Sequence, residues 1–247
     1  MSSFVVYKGP SMLPGHEHET IRGVLTRESS NRKTGPRAQL WIVREDVAPH
    51  VASRLGTDGA VCGECPQRQS LGGGCYVTLI QGPRAMWVGS GGKDADLEGA
   101  CAYLVQKASG QSRGAVLRLG AYGDPAALPQ EIVEALCFAV GGRVTGYTHQ
   151  WREPTLEWAR SWCMASVETK RDAFLARMRG WRTFRVTAGD ASVESSEIVC
   201  VNESRGVSCQ DCGLCGGAGQ GPAVSIVSPA LGALVKRASA CSVEVAA

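Results

Sequence analysis

The chain has 247 residues, of which 44% are hydrophobic and 20% charged, with a formal net charge of +3 at pH 7. This length is enough for one α/β barrel or two smaller domains, and the charge is too small to indicate nucleic-acid binding by itself. No stretch approaches the roughly 20 consecutive apolar residues of a membrane-spanning helix, and the first residues are too short an apolar run for a signal peptide. We therefore expect a cytoplasmic protein without a membrane partner.

The first part of the chain differs in composition from the rest. Residues 1–38 are rich in Gly, Pro, Ser and charge, which predicts an irregular N-terminal extension with a strand or two. From residue 39 to residue 230, short apolar runs alternate with stretches of helical periodicity, and residues 231–247 form an Ala- and Ser-rich tail. Strands are predicted at 39–43, 76–80, 115–119, 143–147, 164–167, 181–187, 197–201 and 223–227, and helices at 47–55, 97–107, 129–140, 155–162 and 170–179.

Strands spaced by helices are typical of βαβ units, which join parallel strands by right-handed crossovers. About eight such strands predict an α/β fold with a complete or partial (β/α) barrel, whose chemistry lies at the carboxyl ends of the strands. Two polar side chains follow strand candidates there. His149 could be a general acid or base or a metal ligand, although a histidine satisfied by its neighbours in the core is more common. Glu168 is either a catalytic carboxylate or a charge at a helix N-terminus.

A compact group of thiols lies near the end of the chain. The second cysteine group comprises Cys200, Cys209, Cys212 and Cys215. Thiolates at intervals of three with one remote partner are typical of iron–sulfur sites, and zinc sites use similar spacing. We favour an iron–sulfur cluster, with zinc as the alternative metal and unliganded buried thiols as the third interpretation.

The first cysteine group comprises Cys62, Cys65 and Cys75. Eleven cysteines without an export signal favour metal ligands over disulfides. Three thiolates either receive a fourth ligand from elsewhere or leave one coordination position open for a substrate or cofactor. The candidates for the fourth ligand are Cys101, His50 and His149. The cysteines that stand alone, and that are typical of small buried hydrophobic side chains, are Cys101, Cys137, Cys163 and Cys241.

A Gly-acid-Pro turn occupies residues 120–125, after a predicted strand. Asp124 could hold a cationic group such as an amine there. It could equally cap the helical segment that follows.

This layout resembles the radical S-adenosylmethionine enzymes, in which a cysteine-bound cluster follows an early strand and a Gly-Gly-Glu-Pro turn holds the cofactor's amino group. The resemblance implies a 4Fe-4S cluster at the first cysteine group and a second, auxiliary cluster at the other. It also implies that S-adenosylmethionine contacts Tyr122, Gly123, Asp124 and Pro125. The chain spaces its first three cysteines by two and nine residues, where the family has three and two, and it has Asp124 in place of Glu.

A second resemblance covers most of the chain. It is carried by residues 29–35, 62–66, 75–77, 122–125, 146–151 and 209–215. These segments resemble an uncharacterised family of mycobacteriophages and plasmids, the gene-product-88-like proteins. The resemblance implies a mobile-element setting, in which nucleic-acid modification and replication-linked roles are common.

The sequence thus predicts an iron–sulfur enzyme of the radical S-adenosylmethionine type, with nucleic acid or nucleotides as candidate partners. One alternative is a metal-stabilised nucleic-acid-binding module, in which both cysteine groups are structural. In that case the residues that meet phosphate are Arg27, Arg32, Lys33 and Arg37. Another alternative is an electron carrier.

Overall fold

The computed structural model describes residues 3–29, 31–188, 193–219 and 224–230. Ser30, which belongs to the segment 29–35, and the predicted tail 231–247 lie outside the described residues.

The first sheet has five strands in the order β1-β2-β3-β4-β5. Their bounds are Ser3–Pro10 (β1), Thr20–Thr26 (β2), Ala38–Arg44 (β3), Leu117–Tyr122 (β4) and Val144–Thr145 (β5). The strands β1, β2 and β3 pair antiparallel, whereas β3, β4 and β5 pair parallel. A βαβ crossover that contains the first cysteine group therefore connects β3 to β4.

The second sheet also has five strands, in the order β6-β7-β8-β10-β9, and all of its pairings are parallel. Their bounds are Tyr147–Thr148 (β6), Met164–Val167 (β7), Thr183–Ala188 (β8), Glu197–Val199 (β9) and Ser225–Ala230 (β10). The predicted α/β class is therefore confirmed, as two sheets rich in parallel strands. Among the described residues no pairing joins β9 to the first sheet.

The two sheets meet at Gly146, which separates β5 from β6. Its N–H donates to the carbonyl of Cys215 at 3.0 Å, and its carbonyl accepts from the N–H of Met164 at 2.9 Å. A Cβ at this position would lie 2.8 Å from Cys163 Sγ, so that only glycine fits without a shift of the core. The last strand of the first sheet thus continues directly into the first strand of the second.

Eight α-helices and four 3-10 segments occur among the described residues. The α-helices are Pro49–Leu55 (α1), Gly59–Cys62 (α2), Gly82–Gly89 (α3), Leu97–Ser109 (α4), Gln130–Ala139 (α5), Lys170–Met178 (α6), Val201–Arg205 (α7) and Cys209–Cys212 (α8). The 3-10 segments are Gln69–Leu71, Pro125–Ala127, Gln150–Arg152 and Pro154–Ser161. Side chains cap three of the described α-helices: Asp96 accepts from Gly99 N–H at the start of α4, Thr169 accepts from Asp172 N–H at the start of α6, and Ser208 accepts from Asp211 N–H at the start of α8.

The core lies between the first sheet and the helices α4 and α5. Leu40 of β3, Leu119 of β4, Leu104 of α4 and Leu136 of α5 are fully buried. Burial of each such side chain contributes about 1.5–3 kcal/mol. This packing holds β3 and β4 in place, and the loops after these strands carry the candidate site.

Two local predictions differ from the structure. The N-terminal segment is more regular than predicted, because Val5, Val6 and Ile21 are buried and make β1 and β2 part of the first sheet. The strand predicted at 76–80 is wrong: these residues form an irregular loop in which Tyr76 and Ile80 are exposed. Leu79 is buried and Val77 packs partly against the core, but among the described strands none pairs with this segment, so the apolar run stays a loop.

No helix in the described part of the chain is long and apolar enough to cross a membrane.

Candidate metal centres and their surroundings

The first cysteine group is brought together by a folded-back loop after α2. Cys62 ends this helix, and Cys75 returns to the loop through its N–H, which donates to the carbonyl of Gln67 at 2.8 Å. A Cβ on Gly73 would collide with the backbone of residues 66 and 67, so the close return requires glycine. Burial raises the pKa of the Cys62 thiol well above its usual value, and the nearby Cys65 and Cys75 raise it further.

An ion pair that the sequence did not reveal fixes this loop. Arg68 donates to Asp58 Oδ1 from Nε at 2.9 Å and from NH2 at 2.6 Å. It also donates to the carbonyls of Gly56 and Gly63, and Ser70 Oγ donates to the same Asp58 oxygen at 2.9 Å. Neither Asp58 nor Arg68 belongs to a recognisable motif, because their partnership depends on the fold of the loop.

The two predicted catalytic side chains lie against the first cysteine group. His149 Nε2 is 2.9 Å from Glu168 Oε1 and 3.8 Å from Cys65 Sγ. Burial lowers the pKa of His149, but Cys65 and Glu168 outweigh it and hold this pKa well above its usual value. Burial raises the pKa of Glu168, but the hydrogen bond and charge of His149 bring it below its usual value. The pair can therefore hold a proton next to a candidate metal ligand.

Asp124 connects three segments of the site. Its Oδ2 accepts from Thr148 Oγ1 at 3.0 Å, His149 N–H at 2.9 Å and Gln150 Nε2 at 3.3 Å. Its Oδ1 accepts from Ala126 N–H at 3.0 Å, which caps the segment Pro125–Ala127 as one of the two sequence interpretations predicted. Every hydrogen bond of this carboxylate goes to the protein, so its role in holding a cofactor amine stays a prediction.

The other residues of the turn have separate tasks. Gly123 has φ +80°, and a Cβ there would lie 2.7 Å from the side chain of Ile42. Pro125 is buried. The hydroxyl of Tyr122 is buried and has no hydrogen-bond partner among the described residues. Burial raises the pKa of Tyr122 well above its usual value, and the proximity of Cys62, Asp58 and Cys75 adds to this effect. The first cysteine group therefore faces a buried polar atom that a bound group could satisfy.

The three candidates for a fourth ligand are not equally placed. His149 is within 3.8 Å of Cys65. His50 lines the same cavity as Cys75. Cys101 lies in α4, and burial alone raises the pKa of its thiol, with no contribution from another cysteine. The fold thus favours His149 over Cys101.

The second cysteine group lines one cleft together with Thr145, Leu214 and Ile226. Backbone hydrogen bonds hold α8, which carries two of the cysteines: Cys209 N–H donates to the carbonyl of Lys33 at 2.9 Å, and Ala115 N–H donates to the carbonyl of Gln210 at 2.7 Å. Residue 115 precedes β4, whereas Tyr122 ends it. The two cysteine groups therefore lie towards opposite ends of β4, whose six residues span about 17–20 Å.

Three buried arginines surround the second cysteine group. Arg37 donates to Thr145 Oγ1 at 2.6 Å, and Arg118 donates to Tyr76 OH at 2.5 Å. Arg182 donates to the carbonyls of residues 214, 216, 217 and 224. Their exposed fractions are only 2%, 9% and 5%. No carboxylate among the described residues is within ion-pair distance of any of the three.

Other buried arginines of this protein do have carboxylate partners. Arg185 donates to both oxygens of Glu197, at 2.8 and 2.6 Å. Arg22 pairs with Glu45, and Arg44 pairs with Glu19 and Asp46. The guanidinium groups at the second cysteine group are therefore a local exception.

Burial and the nearby cations have opposing effects on the thiol pKa values in the second cysteine group. Burial raises the pKa of Cys215 to about 12, although a hydrogen bond with Tyr147 opposes the increase. Burial also raises the pKa of Cys209, and the charges of Arg37, Arg118 and Lys33 lower it. Negative charge on these sulfurs is thus disfavoured by burial and favoured by the surrounding cations.

Among the described residues, no three His, Cys, Asp or Glu side chains are already arranged as ligands of one ion. Metal binding at either group therefore requires the thiols to move closer together. At the second group, metal binding is favoured by the cleft that the four cysteines share and by the neighbouring cations. At the first group, it is favoured by the proximity of the three thiols and by the Tyr122 hydroxyl, which has no partner among the described residues.

The predicted phosphate contacts are mostly engaged within the protein. The guanidinium of Arg27 stacks on the rings of Phe4 and Tyr103, each centroid 5.1 Å away. Lys33 pairs with Glu203, and Arg37 is buried. Arg32 is exposed, so of the four predicted contacts only Arg37 is buried away from a phosphate, and binding to nucleic acid stays a prediction.

Comparison of the chain with protein-family models, curated proteins and solved structures finds no match. Both resemblances drawn from the sequence motifs stay predictions.

Proposed function

We propose that this protein is an iron–sulfur enzyme of the radical S-adenosylmethionine type, with a 4Fe-4S cluster at each cysteine group. In this proposal Cys62, Cys65 and Cys75 hold the reactive cluster. The auxiliary cluster is held by Cys200, Cys209, Cys212 and Cys215. The protein acts in the cytoplasm, and nucleotides or nucleic acid are its substrate class.

The observation that carries the proposal is the set of unpaired buried arginines around the second cysteine group. A buried cation without a counter-charge costs several kcal/mol. Four thiolates around an iron–sulfur core or a zinc ion carry net negative charge. Such a centre would compensate Arg37, Arg118 and Arg182 at once, whereas four neutral thiols would leave them uncompensated.

The placement of the first cysteine group supports the radical-enzyme type. The group follows β3, the first strand with a parallel partner, and the Gly-Asp-Pro turn follows its neighbour β4. When bound, an iron–sulfur cluster with an open iron supplies one electron for the cleavage of S-adenosylmethionine.

The residues around this group have supporting tasks in the proposal. Asp124 fixes the backbone of His149 by accepting its N–H at 2.9 Å. Glu168 orients the imidazole, which holds a proton at Nε2 facing Cys65. Gly123 allows β3 and α2 to approach the turn closely.

We also propose that the parallel strands from β3 onward curve into a partial or complete (β/α) barrel. The direct passage of β5 into β6 at Gly146 supports it, since the two sheets follow each other without a crossover. In a barrel, the side chains at the carboxyl ends of the strands converge, as those of Tyr122, His149 and Glu168 do around the first cysteine group.

Anaerobic purification, iron, sulfide and zinc analysis, and a visible spectrum test the metal assignment. We expect a brown protein with iron and sulfide for two clusters. Cys212→Ala should lose about half of the iron, and Cys101→Ala, a cysteine distant from both groups, should lose none. Stoichiometric zinc without iron would reject the enzyme and favour the metal-stabilised module or a structural role.

Titration of S-adenosylmethionine into the anaerobic, cluster-loaded protein tests the radical-enzyme type. We expect binding by the wild type and none by Cys75→Ala. Asp124→Asn keeps the shape of the side chain and removes its charge. If binding survives this change, the turn does not hold the amine. If the cluster-loaded wild type does not bind at all, an electron carrier becomes the better interpretation.

A further inference from the structure

A cavity of about 660 Å³ lies beside the first cysteine group. Its wall includes Cys75, the helix α1 and the loop after Cys75. This volume is within the range of small-molecule sites, which runs from about 300 to 1,000 Å³. A molecule in the cavity would lie against one of the proposed cluster ligands.

The cavity wall contains basic side chains. Arg54 and His50 line it, and no Asp or Glu side chain does. The Nδ1 atom of His50 is buried and has no hydrogen-bond partner among the described residues. Ser53 and Thr78 also line the wall, whereas the hydroxyl of Ser70, a third lining residue, donates to Asp58. This combination suits a ligand with an anionic, oxygen-rich group.

The loop after Cys75 contributes apolar side chains to the cavity wall. Tyr76 is 64% exposed and Ile80 is 65% exposed, although both line the cavity. The ring of Tyr76 is anchored, because its hydroxyl accepts a hydrogen bond from Arg118 at 2.5 Å. A fixed aromatic side chain with an accessible face is suited to stacking on a flat heterocycle.

We propose that this cavity binds the substrate as a nucleotide, with its base on Tyr76 and its phosphate at Arg54 and His50. That the bound nucleotide is the substrate rests on the function proposed above. That the cavity binds a nucleotide does not depend on that function. The same chemistry occurs in free nucleotides and in single-stranded nucleic acid, so both sources are tested.

Isothermal titration with each of the four nucleoside 5′-monophosphates, and with a single-stranded oligonucleotide of mixed sequence, tests the site. We expect saturable binding by the wild type that Arg54→Gln and Tyr76→Ala each weaken about tenfold. Arg171→Gln makes the same charge change on the exposed face of α6, away from the cavity, and should bind like the wild type. Tighter binding of the oligonucleotide would identify the polymer as the source.

Iron content, measured on the same samples, separates this inference from the proposed function. Iron-loaded wild type that binds neither ligand overturns the nucleotide site and leaves the cluster proposal intact. Protein without iron that binds nucleotide through Arg54 and Tyr76 supports the site and overturns the cluster proposal. Equal weakening by Arg54→Gln and Arg171→Gln would reduce the effect to net charge and overturn the assignment of the phosphate position.

Discussion

The two cysteine groups contain the same candidate ligands in different electrostatic surroundings. Around the first group lie Asp58 with its ion-pair partner Arg68, Asp124 and Glu168, together with His149, whose pKa is raised. Around the second lie three buried arginines that have no carboxylate partner among the residues that the structure describes. The difference suggests a division of tasks. A site rich in cations stabilises a closed centre of four thiolates, whereas a site with proton-holding groups and a neighbouring cavity suits chemistry.

The largest effect should come from removal of a thiol in the second group. Cys209→Ala or Cys212→Ala should lower the melting temperature of the metal-loaded protein by roughly 10 °C or more, because metal-binding energy is folding energy in such loops. Cys101→Ala should lower it far less, and Cys241→Ala in the tail should have no effect. Thermal melts with metal analysis check this. Equal melting temperatures of all four variants would exclude a metal site at the second group.

The next largest effect is that of Arg37→Met, which should be stabilising without metal and unfavourable with metal. Arg37→Met should stabilise metal-free protein by about 1–4 kcal/mol, because it removes a buried unpaired cation. In the loaded protein the same change should weaken metal binding about tenfold, because it removes a counter-charge of the thiolates. Urea unfolding after chelation and metal competition measure the two effects.

Arg185→Met is the control for this reversal. Its partner Glu197 would remain buried without its ion-pair partner, so unfolding free energy should fall by about 3–5 kcal/mol with or without metal. If Arg37→Met destabilises both forms in the same way, the arginines do not serve as counter-charges.

At low pH, the loss of stability caused by Arg185→Met should become smaller. Burial raises the pKa of Glu197, but the hydrogen bond from Arg185 and the N–H of Glu194 bring it below its usual value. The unfolded chain therefore binds this proton more tightly, and the pair's stabilisation is present above the usual carboxyl pKa of about 4.3. It is lost as the pH falls through the lower, folded value. The cost of Arg185→Met should shrink in urea titrations over that range, and a cost independent of pH would contradict the prediction.

The smallest effects come from two tyrosines, one at each group. The Tyr122 hydroxyl is buried without a partner among the described residues, so Tyr122→Phe should stabilise metal-free protein by about 1 kcal/mol. The Tyr147 hydroxyl is hydrogen-bonded to Cys215, so Tyr147→Phe should destabilise it by a similar amount. Differential urea midpoints check the two signs. Effects of the same sign would show that the hydroxyls have equivalent surroundings.

Local patterns in the sequence were sufficient to locate the cysteine groups, the Gly-acid-Pro turn and most strands after residue 39. They also placed His149 and Glu168 after strands, and the structure brings both next to Cys65. Such features depend on side-chain spacing along a short stretch of chain, which the sequence contains in full. The run 76–80 is predicted as a strand but forms a loop, because an apolar run does not indicate whether a neighbouring strand is available to pair with it.

The charge around each cysteine group was decided only by the tertiary structure. Arg118 and Thr145 are neighbours because β4 and β5 pair in that register, and Arg37 reaches Thr145 from the start of β3. Residues 37, 118 and 182 are far apart in the chain, so no local motif predicts that they surround the same thiols. The sequence therefore determined where the candidate ligands are. Strand register and burial determined which of them face cations and which face carboxylates, because these contacts form only once the sheets have assembled.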